Sequence, residues 1–306
     1  MKNIIILTVL VLAGIGIYFV IQNGSGKVII NEGLKVTPDT DESQDNEQTD
    51  KTQDEKQDRE GESIIGKSVE GRDITAYHYG DGDTELLFIG GIHGGYSWNT
   101  ILVAYEMMDY LEQTPSAIPA NVQVTVIPSL NPDGQNKIVG TAGRFTKADV
   151  PSLQDLRIPG RFNANNVDLN RNFDCDWQST GTWQNRNVDG GSKAFSEPET
   201  LAIRNYVETY TPDAVVVWYS AAGGVFASNC HNGVLAETTT ITNLYAQASG
   251  YPAYQDFDFY EITGDITNWL AKNNIPAISI LLSTHEDVEW NKNRAGIEAL
   301  LQHYAN

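Results

Sequence analysis

The chain has 306 residues, with 40 acidic side chains against 20 basic ones and a formal net charge of −20. Such a balance excludes nucleic acid as a partner, because that binding runs on Lys and Arg against phosphates. It also opposes docking on an anionic surface.

Residues 1–24 form the first segment. Lys2 precedes an apolar run from Ile4 to Ile21, interrupted only by Thr8, Gly14 and Gly16. Eighteen such residues approach the ~20 needed to cross a bilayer. A cleaved signal peptide is the rival reading. The run continues through Tyr18, Phe19 and Val20 with no A-x-A site after it, which favours an uncleaved anchor. The expected location is therefore the cell surface, with the membrane as a partner through this helix and secretion as the alternative.

Residues 25–63 read as a disordered acidic linker. From Thr37 to Ser63 there is no aromatic residue and no Val, Leu or Ile; eleven carboxylates face three basic residues, net −8. That composition buries too little apolar surface to offset its ordering entropy, so a self-repelling spacer is expected.

Residues 64–306 read as one globular domain. Ile64–Tyr79 suits a hairpin around Glu70-Gly71, and Glu85–Ile89 a buried strand. The spacing predicts a helix over Trp98–Leu111 and a strand over Val122–Ile127. "SEPET" starts a predicted helix Ser196–Tyr210, with Ser196 as N-cap. Ala214–Trp218 is a fully apolar strand, and Ala277–Leu282 is another buried strand. Helices are predicted over Leu235–Ser249, Ile262–Asn273 and Asn293–Tyr304. Strands alternating with helices imply an α/β domain with a mainly parallel or mixed sheet covered on both faces. Ligands then sit at the C-terminal strand ends, where His93, Tyr219 and the segment after Leu282 fall. Cys175 and Cys230 can pair in an exported chain or remain as two thiols.

The stretch Gly160–Phe173, "GRFNANNVDLNRNF", stands apart. Together with "GGIHG" (Gly90–Gly94), "NPDG" (Asn131–Gly134) and "SEPET", it closely resembles the zinc carboxypeptidases of the carboxypeptidase A type. By themselves "NPDG" and "SEPET" are a turn and a helix cap. The resemblance runs from about Ile64 to the C-terminus. It implies a twisted mixed β-sheet sandwiched between helices, zinc as cofactor, and hydrolysis of the last peptide bond of a chain. Partners would be peptides or cell-wall peptides with a free C-terminus.

Residue by residue, the resemblance makes Asn170 and Arg171 the clamp for the terminal carboxylate, a task suited to a guanidinium fork. Arg161 is implied as the oxyanion donor. His93 is implied as a zinc ligand, oriented by Asp168. Tyr260 lies on a segment similar to the mobile one whose tyrosine closes over substrate.

Three positions depart from the pattern. The H-x-x-E ligand pair reads His93-Gly94-Gly95-Tyr96, and the next residue, Ser97, is no carboxylate either. Tyr219 stands where a second histidine is expected, and Leu281 where the general base is expected. Zinc prefers Cys, His, Asp and Glu, so His93 is the sole retained ligand. Without the metal no bound water is acidified, and loss of the base removes a factor of about 10²–10⁴. Cys230-His231 and His285-Glu286-Asp287 hold the remaining candidate donors, against a plainer reading as loop residues. The expected function is a surface-anchored pseudo-peptidase that binds C-terminal carboxylates without cutting. The alternatives are an active zinc carboxypeptidase with a rearranged metal site, and a structural or adhesion domain whose pocket is a relic.

Overall fold

A computed structural model describes residues 61–305. The apolar segment, and the acidic linker up to residue 60, lie outside the described residues. Within the described part, strand β1 (Gly61–Lys67) begins inside the last three residues of the predicted linker.

An eight-stranded mixed sheet forms the middle layer. Strand β1 pairs antiparallel with β2 (Asp73–Tyr79), which pairs antiparallel with β4 (Val122–Ile127). Strand β3 (Thr84–Ile89) runs parallel to β4 and to β7 (Ala214–Ser220), and β7 runs parallel to β10 (Ala277–Leu282). Strand β8 (Gly224–Ala227) returns antiparallel to β10 and carries the two-residue β9 (Ala253–Tyr254). A separate hairpin joins β5 (Thr180–Trp183) and β6 (Arg186–Asp189).

The central strands are mostly apolar because both of their faces are covered, with Glu85, Gln123, Thr125 and Ser279 among the exceptions. Alternate residues serve opposite layers. Leu86, Phe88, Val216, Trp218, Ile278 and Ile280 pack on one face against α1 (Trp98–Gln113), α5 (Ala236–Ser249) and α7 (Trp290–His303). Leu87, Ile89, Val215, Val217, Tyr219 and Leu281 face the other layer, against α4 (Pro198–Tyr210) and α6 (Ile266–Lys272). Helices α2 (Pro132–Val139) and α3 (Gln154–Arg157) complete the seven among the described residues.

Three local expectations are corrected. "NPDG" begins helix α2: Asn131 caps it by accepting from Gly134 N (2.8 Å), and Pro132 sits in the first turn, where its missing N–H costs nothing. Ser196 does not cap α4; Glu197 occupies that position, and Ser196 Oγ donates to the Glu197 carboxylate. Helix α6 begins only at Ile266, because Asp265 caps it (Asn268 N to Oδ1, 2.9 Å) after a left-handed Gly264. Ile262 and Asp265, ahead of the helix, line a cavity.

Candidate functional site

A cavity of about 1000 Å³ opens at the C-terminal ends of β3, β7 and β10. His93 follows β3, Tyr219 and Ser220 close β7, and Leu281 lies on β10 directly beside Tyr219 in the parallel register. Arg161, Asn170 and Arg171 enter from the "GRFNANNVDLNRNF" loop, and Tyr260 from the segment before α6. The hairpin β5–β6 contributes Trp183, Gln184 and Asn185.

Asp168 organises the inner wall and is fully buried. It accepts from Arg161 Nε (2.9 Å) and pairs with Arg161 Nη2 (2.7 Å) on one oxygen. Its other oxygen accepts from Asn170 N (3.1 Å) and lies 3.3 Å from His93 Nε2. Burial alone would raise the Asp168 pKa; the Arg161 charge overrides that and holds it well below the usual carboxylate range. The Arg161 charge is thereby largely neutralised, and its guanidinium stacks on Trp183 at 4.4 Å.

His93 is buried. Desolvation first, then Arg161, pushes its pKa down to about 4. The 3.3 Å approach to Asp168 is within ion-pair range but is not a well-aligned hydrogen bond, and both ring nitrogens lack one.

Arg171 is almost completely buried, yet among the described residues no carboxylate pairs with it. Its partners are carbonyls: Thr182 O takes Nε (3.2 Å) and Nη2 (2.6 Å), and Asn170 O takes Nη1 (2.6 Å). The Tyr260 ring lies 5.9 Å from its guanidinium carbon. A buried cation held only by carbonyl dipoles keeps its charge for an anion entering the cavity. Asn170 is fixed alongside, donating to Asp265 (2.8 Å) and accepting from Tyr219 Oη (3.1 Å).

The residue set does not fit a zinc ion. A catalytic zinc takes about three protein ligands from His, Cys, Asp and Glu. His93 supplies one. The Tyr96 hydroxyl accepts from Gln154 (3.1 Å) and its ring packs on Trp183. Ser97 sits at the N-cap of α1 and is not part of the cavity wall. Burial, with Asp265 nearby, raises the Tyr219 pKa, so it stays a neutral phenol donating to Asn170. Leu281 is apolar and 9% exposed. Of the other candidate donors, exposed His231 pairs with Asp176 (2.7 Å) and Glu286 with Arg157 (2.5 Å). His285 lies in the cavity, held by Ser220. Among the described residues no group of three or more His, Cys, Asp or Glu side chains comes together as a metal site.

The rest of the conspicuous loop is scaffolding. Asn163 donates to Glu197 (2.8 Å) and Glu199 (3.1 Å), and Asn172 to the Gly190 (2.6 Å) and Lys193 (3.0 Å) carbonyls. Cys175 and Cys230 form a disulfide with a Cα separation of 6.2 Å, which settles the open choice between a bridge and two thiols. The sequence reading missed Trp183, Asp265 and Ser220. Only the cap Asp265-x-x-Asn268 leaves a trace in the sequence.

This geometry can be set beside known proteins. Residues 46–298 match the zinc carboxypeptidase family. The chain belongs to that family. Mouse (Mus musculus) carboxypeptidase M is 28% identical over 199 residues, covering 61% of this chain and 36% of that protein. The human (Homo sapiens) carboxypeptidase N catalytic chain is 26% identical, covering 56% of this chain and 37% of its own. The chain thus spans little more than a third of the length of these curated relatives. Among solved structures, carboxypeptidase A from Helicoverpa armigera superposes with a TM-score of 0.61 at 18% identity, over 80% of this chain and 66% of that one. The murein-tripeptide amidase MpaA from Escherichia coli O157 gives 0.53 at 19% identity, over 81% and 94%. At such identities these two likenesses speak for the fold alone.

Proposed function

We propose that this zinc carboxypeptidase family member binds peptides by their free C-terminal carboxylate and does not hydrolyse them by metal-activated water. The observation that carries this reading is Arg171, a buried cavity cation with carbonyl partners and no carboxylate. A terminal carboxylate offers the planar, bidentate match to its fork. Neutral Tyr219, Tyr96 and Leu281 stand where ligands and base are expected from the family, and none of them replaces that chemistry.

The cavity also carries Asp256, Asp258, Glu261 and Asp265. These carboxylates favour a terminal residue with a cationic side chain. Cell-wall peptides are a ligand class consistent with the fold shared with the murein-tripeptide amidase. The apolar segment at residues 4–21 and the acidic tract after it are proposed to hold the domain at the cell surface.

The second reading, an active zinc enzyme with a rearranged site, draws on the two unpartnered ring nitrogens of His93. Zinc per chain, measured after loading and desalting the purified protein, separates the two. A value near zero is expected, together with binding of a peptide acid in preference to its C-terminal amide. One tightly held zinc per chain with release of terminal residues would overturn the proposal.

A further inference from the structure

His285 enters the cavity from the segment after β10 and is not part of the carboxylate clamp. Its Nδ1 lies 2.9 Å from Ser220 Oγ at the end of β7. The same hydroxyl lies 3.0 Å from Asn99 Oδ1. The Asn99 amide has a fixed orientation, because its Nδ2 donates to the carbonyls of Thr284 (2.8 Å) and Asp287 (2.9 Å). Its oxygen therefore faces Ser220, and an amide oxygen only accepts. Ser220 has one proton, and it goes to Asn99. His285 must then carry its own proton on Nδ1 and donate it to Ser220. This tautomer follows from the hydrogen-bond network.

Nε2 is left as an unprotonated acceptor. It has no hydrogen-bond partner among the described residues, and unlike the ring nitrogens of His93 it is not sealed within the protein. Burial, then the charges of Arg157 and Arg161, lowers the ring's pKa to about 4, which keeps it neutral at pH 7. The ring is braced against Tyr96 (centroids 4.6 Å apart), and Arg157 donates to the His285 carbonyl (3.3 Å). A lone pair held this firmly on a cavity wall is a preorganised acceptor with nothing yet to accept.

We infer that His285 Nε2 accepts a hydrogen bond from a backbone N–H of the ligand, so that the site takes a peptide and discriminates against a free amino acid. The inference rests on Arg171 as the carboxylate clamp. Arg171 then reads the terminal carboxylate, and His285 reads an amide nitrogen further up the same chain. A free amino acid has no amide N–H to offer Nε2.

The test is calorimetric binding of acetyl-Ala-X dipeptides to the full-length chain, using the tightest binder of the series. Two analogues are compared with it, each replacing one N–H by an ester oxygen. One replacement is expected to weaken binding to the wild type about fivefold, the worth of one hydrogen bond. The same replacement should be without effect in His285→Phe, which keeps a ring against Tyr96 and removes the acceptor. Ser220→Ala, which releases the tautomer, should shrink the effect while leaving the imidazole in place. If neither ester weakens binding, or if the loss is equal in His285→Phe, the inference is overturned and the clamp stands. If no peptide acid binds better than its amide, the clamp itself fails and this inference with it.

Discussion

Replacing Arg171 by Met removes the buried fork and keeps most of its aliphatic bulk. Two effects follow, and they separate. On the ligand, a charge-assisted bond is worth about 1.5–3 kcal/mol, so Kd for a peptide acid should rise about 10- to 100-fold. On the fold, the Thr182 carbonyl loses two donors at 3.2 and 2.6 Å in a part-buried setting. An unsatisfied buried carbonyl costs about 1–3 kcal/mol, which for a domain of this size lowers Tm by about 2–12 °C. The informative assay is a cycle: peptide acid and peptide amide, each titrated into wild type and Arg171→Met. Amidation and mutation remove the same contact, so their effects should fall far short of additivity. Arg171→Lys keeps the charge without the fork and should fall between the two. A folded Arg171→Met protein that still prefers the acid as strongly as the wild type would refute the clamp.

Three further outcomes follow from the same geometry. Installing the missing donors, Tyr96→Glu with Tyr219→His, should convert a chain that retains little zinc after desalting into one that retains about one ion; unchanged zinc content would mean that the strand ends do not place these positions around His93. Because the pKa of His93 is lowered from 6.5 to about 4, the unfolded state binds its proton first as pH falls. Stability should therefore be lost between pH 6.5 and 4, by about 2–3 kcal/mol at pH 4.5, and urea unfolding of His93→Gln should show a smaller loss; an equal loss would remove His93 as the cause. The Cys175–Cys230 bridge spans 55 residues, so Cys175→Ser with Cys230→Ser should cost about 4 kcal/mol by the loop-entropy relation; unchanged stability to denaturant would count against the pairing.

The sequence by itself determined the family, the sheet-and-helix order and the residues that reach the cavity from one loop. Predominantly apolar runs such as Ala214–Trp218 and Ala277–Leu282 are legible because strands buried on both faces favour apolar side chains at successive positions. The residue types at Tyr96, Tyr219 and Leu281 are also legible, because they depart from the expected pattern at positions read from motif and strand end. Charge compensation was not legible. That Arg161 is neutralised by Asp168 while Arg171 has only carbonyls around it depends on which side chains meet, and both arginines look alike in the string. The late start of α6 was hidden for a related reason: helical apolar spacing extends back to Ile262, but Asp265 caps the helix, and Ile262 and Asp265 line the cavity. The chain Asn99–Ser220–His285 joins residues 121 and 65 positions apart. Only the tertiary fold brings them together, because hydrogen bonding across strand ends is set by sheet register and has no period in sequence.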